Sequence, residues 1–133
     1  MKIDIPHPDE IDSAGYQVTI HSWDTWSMDH TLSYIIVPML KQLQETKHGA
    51  PNTDDEDVPE KLRSTSAPKK ENEWDTDDNH FRRWDWIINE MIWAFEYKLN
   101  NFDTIMDKDR ESAQARMSNG FRLFGKYYES LWD

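Results

Sequence analysis

Apolar residues recur at steps of three and four along three stretches of the chain and alternate along one. In the first stretch Met28, Leu32, Ile35, Ile36, Met39, Leu40 and Leu43 share a face. That spacing predicts an amphipathic helix. Ser27 or Asp29 suits its start and Lys47, His48 and Gly49 its end, which places it at about 27–48. Pro38 falls inside and should kink or split it. In the second stretch Phe81, Trp84, Ile88, Met91, Ile92, Phe95 and Leu99 form one stripe, and Trp86, Trp93 and Tyr97 form another. The expected helix spans about 78–101, capped by Asp77 or Asp78. A helix apolar on two sides lies centrally in a bundle or in a subunit interface. The third helix, about 109–131, should bury Ala113, Met117, Phe121, Phe124, Tyr128 and Leu131. Gly120 and Gly125 lower its propensity and would permit close helix contact.

Residues 1–22 read as an extended arm or hairpin. Pro6 and Pro8 forbid regular helix. Tyr16 to His21 alternates as a strand does, with Lys2–Ile5 as its partner and Gly15 near the turn. Residues 50–79 form a long polar insertion with Pro51, Pro59 and Pro68, the acidic run Asp54–Asp57, and Lys69 and Lys70. A short helical turn fits Pro59–Arg63. A connection of this length in a compact domain is disordered or functional. The expected fold is mainly α: one domain with a three-helix bundle core, a long polar insertion and an N-terminal hairpin or extended arm.

Composition narrows the function. The chain has 133 residues and a net charge of −11, from 26 acidic and 15 basic side chains. Such a field repels phosphate backbones and anionic membranes, which argues against non-specific nucleic-acid or membrane binding. There is no cysteine, which excludes disulfides, thiolate catalysis and cysteine-bound metal clusters. No apolar run is long enough to cross a bilayer, and the opening MKIDIPHPDEID has no signal-peptide core. The expectation is an intracellular protein.

Three groups of side chains carry candidate chemistry. Lys69, Lys70, Arg82 and Arg83, with Lys61 and Arg63 nearby, interleave with Trp74, Trp84 and Trp86. Guanidinium groups clamp phosphate and aromatic faces stack on bases. A small anionic ligand such as a nucleotide suits Arg82, Arg83, Lys69, Lys70, Trp74 and Trp84. The plainer reading is a solubilising loop whose tryptophans anchor it to the bundle. His30, His80 and Asp77 could hold a metal if the first two helix starts meet, although Asp at a helix start is ordinarily a cap. Asp85, Asn89 and Glu96 share a helix face. They either line a pocket or form a solvated surface with an Arg82–Asp85 pair. No nucleophile elbow or Gly-rich phosphate loop is present, so the pattern favours binding over catalysis. The second aromatic stripe (Trp86, Trp93, Tyr97) suggests a homo-oligomer.

The stretches HSWDTWSMDHTL, KHGAPNTDDEDVPEKLRSTSAPKKENEWDTDDNHFRRWDWIINEMIWAFE and GFRLFGKYYESLWD resemble a family of small uncharacterised proteins encoded by tailed bacteriophages. The resemblance covers nearly the whole chain and brings no catalytic residues or cofactor. It implies a setting in the host bacterial cytoplasm or the virion, and a Trp-rich junction from Glu71 to Trp86 as part of the family pattern. Small phage accessory proteins are often inhibitors, adaptors or sponges for host signals. The expectation is therefore a phage accessory binding protein that captures a small anion such as a nucleotide signal of host defence. The alternatives are an interaction or inhibitor module acting through its acidic surface, a metal-dependent hydrolase, and a minor virion component.

Overall fold

A computed structural model describes residues 1–4, 17–100 and 107–133. The described residues are mainly helical, with a short two-stranded hairpin, and the helix packing is that of a three-helix bundle. Two compact units are present, Met1–Leu32 and Ser33–Asp133.

In the first unit β1 (Lys2–Asp4) pairs antiparallel with β2 (Gln17–Thr19) in the register Lys2↔Thr19, Ile3↔Val18. The strand ends at Thr19, because Ile20 and His21 lead into a 3₁₀ turn at Ser22–Thr25. Asp24, 9% exposed, fixes that turn by accepting the His21 backbone N–H at 2.8 Å. The N-terminal ammonium lies 3.1 Å from the same carboxylate. The turn expected at Gly15, with Ile5 and Tyr16, lies outside the described residues.

Helix α1 runs from Met28 to Thr46 without a break at Pro38. Proline lacks the N–H for one helical bond, yet packing on both sides of it keeps the helix continuous. Val37 and Leu40 are buried there. The buried seam differs from the expected stripe. Ser33, Val37 and Leu40 face inward, while Met28, Leu32 and Met39 are exposed. Polar bonds set this rotation. Gln44 Nε2 donates to the Asp85 carbonyl at 3.0 Å and to Asn89 Oδ1 at 2.9 Å. Lys47 pairs with Asp85 at 2.5 Å and Lys41 with Glu96. Asp85 thus serves α1, and the expected Arg82–Asp85 pair is replaced by these bridges.

Helix α2 (His80–Asn100) is the central element. Trp84, Ile87, Ile88 and Met91 are at most 2% exposed. Phe81, expected in the stripe, is exposed instead. Asp77 forms the turn before the helix by accepting the Asn79 N–H at 2.9 Å. The second aromatic stripe is covered by the chain itself. Trp93 stacks on Tyr97, with ring centroids 5.0 Å apart, and carries the Arg116 guanidinium 4.0 Å above its face. Trp86 packs against the core.

Helix α3 (Asp107–Lys126) lies against α2. Arg116 forks onto Glu90 at 3.0 and 2.6 Å. A Cβ placed on Gly120 would lie 2.4 Å from Ala94 Cβ and 2.7 Å from the Glu90 carbonyl oxygen, so close approach requires glycine here. The α-helix stops at Lys126 and a 3₁₀ turn follows at Tyr128–Ser130. The buried face of this helix runs through Gly120, Leu123 and Tyr127, one residue away from the expected Phe121, Phe124 and Tyr128. Tyr127 turns into the core against Trp84, and Tyr128 is 63% exposed.

Candidate functional site

The insertion, 50–79, is a strap. It winds through 3₁₀ turns at Asp55–Asp57, Glu60–Leu62 and Ser64–Ser66, and Val58 is buried in the core. Backbone groups in such a segment need partners from outside it, and side chains of α2 and α3 supply them. Arg83, 4% exposed, forks onto Asp77 at 2.8 and 2.7 Å. It also donates to the Leu62 carbonyl and the Thr53 hydroxyl, each at 3.2 Å. His80 Nε2 donates to the Ala50 carbonyl at 3.1 Å, and Asn79 reaches the carbonyls of Lys61 and Arg63.

The acidic run holds the other end. Asp57, 5% exposed, accepts from Lys126 at 2.6 Å, Tyr127 Oη at 2.6 Å and Arg122 at 2.8 Å. Asp54 pairs with Lys126 at 2.7 Å, and Asp55 accepts the Ser64 N–H and hydroxyl. Lys126 also lies 3.7 Å from Glu56, so all four carboxylates have partners within the fold, and the run is a clasp.

Both clasps are sensitive to acid. The hydrogen bonds from Arg83 hold the Asp77 carboxyl down at about 2, against an ordinary 3.8. Burial pushes Asp57 up, but Lys126, Tyr127 and Arg122 outweigh it and keep it below its ordinary value. A lowered carboxylate pKa stabilises the folded state above the unfolded-state value, and that gain is lost as pH falls through the folded-state value. Stability should therefore fall from about pH 4 to about pH 2. Chemical denaturation across that range checks this, and Asp77→Asn should flatten the slope.

Of the residues expected to hold an anion, Arg83 is enclosed by the strap and Trp84 is 2% exposed in the core. Arg82, Lys69, Lys70 and Trp74 lie at the surface, with Trp74 82% exposed. Lys70 Nζ donates to the Glu73 carbonyl at 3.3 Å. Of the expected metal set, His30 lies in the first unit, and Asp77 and His80 are bound to Arg83 and Ala50 in the second. Among the described residues no three His or carboxylate side chains gather to hold a metal.

A second feature is an open apolar groove of about 820 Å³ in the Ser33–Asp133 unit. One wall is α1, with Ile36, Pro38, Met39, Leu40, Leu43 and, toward the edge, Gln42 and Thr46. The other is the end of α3 and the turn after it, with Phe124, Tyr128 and Leu131. Phe124 is supported edge-on by Phe95 at 5.1 Å and meets Tyr128 at 5.8 Å. Met39 and Tyr128 remain 60% and 63% exposed. Periodicity assigned these side chains to the core. The signal of the groove was the width of the apolar arc on α1, which exceeds what one seam against α2 can bury.

Compared with protein-family models, characterised proteins and solved structures, the chain matches none. Among the described residues no helix is long and apolar enough to cross a membrane.

Proposed function

We propose that the chain is a protein-interaction module and that the groove between α1 and the end of α3 takes an apolar segment of another protein. The observation that carries this is the groove itself: a concave apolar surface flanked by Met39 and Tyr128, both left largely exposed. A concave apolar surface is the default place to look for a binding site on a protein whose remaining surface is this polar. The acidic run 54–57 is bonded to Lys126, Arg122 and Ser64, so it contributes structure and the contact falls to the groove. In the phage setting that the resemblance implies, the partner is a host protein and binding inhibits or redirects it.

Selection of a random peptide library on the immobilised protein tests this. Enriched peptides should lose at least tenfold in affinity against Met39→Asp/Tyr128→Asp. Both positions are exposed, so this variant should melt as the parent does. Equal binding to both proteins would overturn the reading. Capture of a small anion now rests on Arg82, Lys69, Lys70 and Trp74, none of which lines the groove. A melting shift with a nucleotide, removed by Arg82→Ala with Lys69→Ala and Lys70→Ala, would restore that reading in its place.

A further inference from the structure

We infer that the occupant of the groove is an amphipathic helix with basic flanks, about three turns of which make contact. This rests on the groove being an interaction site and adds the partner's conformation and charge. Length comes from α1, whose lining residues run from Ile36 to Thr46, or about 15 Å at the helical rise.

Conformation follows from the walls. They are formed largely by helical backbone, whose N–H and C=O groups are already bonded within the helix. An extended peptide laid there would bring unpaired amide groups against Met39, Leu43 and Phe124 with no sheet edge to receive them. A helix satisfies its own backbone and presents an apolar face, and that is how helices lie in apolar grooves.

Charge follows from an inventory of both walls. Residues 36–46 carry Lys41 and Glu45, and residues 124–133 carry Lys126, Glu129 and Asp133. Lys41 is held by Glu96, Lys126 by Asp54 and Asp57, and Asp133 by His48. Glu45 and Glu129 have no ion pair among the described residues, and the partner of Asp133 is a histidine that is cationic only when protonated, so both walls carry uncompensated negative charge. The whole chain adds its net −11. Complementarity therefore selects cations beside the apolar face of the partner. A second copy of this chain, equally acidic, is repelled.

The test uses three labelled peptides of about 15–18 residues, long enough to populate helix on binding. One is a Leu/Lys amphipathic helix, one its Leu/Glu counterpart, and one a scrambled isomer of the first. Anisotropy should show the basic helix binding at least tenfold more tightly than either control, with a gain in helical circular dichroism. Met39→Asp/Tyr128→Asp should weaken it at least tenfold. That variant is the more acidic protein, so attraction by charge alone would strengthen binding instead. Glu45→Gln/Glu129→Gln should weaken it several-fold and reduce its salt dependence. If the scrambled or acidic peptide binds as well and the groove variant still loses it, the helix or the charge is overturned and the groove stands. Binding unaffected by the groove variant overturns both. A dimer in solution that the groove variant dissolves would place a second copy in the groove and overturn the foreign helix.

Discussion

Replacing Arg83 with alanine is expected to destabilise the protein by about 3–5 kcal/mol, the usual effect of breaking a buried ion pair by removing one partner. The guanidinium is 4% exposed and all its bonds go to the chain: Asp77, Thr53 and the Leu62 carbonyl. Its loss leaves Asp77 half-buried without its counter-ion and the Leu62 carbonyl without that donor. Arg83→Lys should recover little, because an ammonium cannot fork onto a carboxylate and also reach two further acceptors. Denaturant midpoints of the three proteins check this. The experiment also separates two roles. A ligand-binding arginine can be removed with the fold intact, whereas this one should take the strap with it. An unchanged midpoint for Arg83→Ala would mean that the strap is held elsewhere.

Gly120→Ala and Gly125→Ala should move stability in opposite directions. At Gly120 a methyl group would sit 2.4 Å from Ala94 Cβ and 2.7 Å from the Glu90 backbone oxygen. Backbone cannot yield as a side chain does, so α3 must shift away from α2. Overpacking of this kind costs about 1–3 kcal/mol and sometimes more, and α2 against α3 is the main packed pair of helices in this fold. The shift would also strain the Arg116–Glu90 fork, which sits on the same seam. At Gly125 the added methyl meets nothing within 4 Å. There the gain in helix propensity, up to about 1 kcal/mol, should appear unopposed. Melting temperatures of the two variants give the signs directly. Two destabilised proteins would point to helix-end effects rather than to the close approach.

The helices were legible because a 3.6-residue period survives in the sequence whatever the helix packs against. Leu40, Trp84, Ile88, Met91 and Phe95 were read from it as core, and they are core. The rotation of α1 was not legible, because Gln44, Lys41 and Lys47 set it through polar bonds to Asp85 and Glu96, far along the chain on α2. Tyr127 is buried in place of Tyr128 because it follows Leu123 by one helical turn, its N–H bonded to the Leu123 carbonyl at 2.9 Å, on a face one residue away from the one that Phe121 and Phe124 mark in the sequence. The strap shows the same limit in its charges. Arg83 and Asp57 look like surface chemistry in the sequence, and burial by residues far along the chain makes them clasps. Close approach at Gly120 could be anticipated from the glycine itself, while its emptier neighbour Gly125 looked identical.

The clasps also determine what a cut in the backbone would do. Between Ser66 and Asp77 the residues Pro68 to Thr76 are exposed, while the segments on either side are tied down at Thr53, Asp57, Leu62 and Asp77. Covalent continuity through Pro68–Thr76 therefore duplicates a connection that side chains already make. The strap before that segment is gripped by Arg83, Arg122, Lys126 and Tyr127, all of which come after it. Within Ser33–Asp133 the chain before Pro68 and the chain after Thr76 are thus fastened to each other by side chains, and the exposed stretch is where new sequence can be spliced in at least cost to the rest.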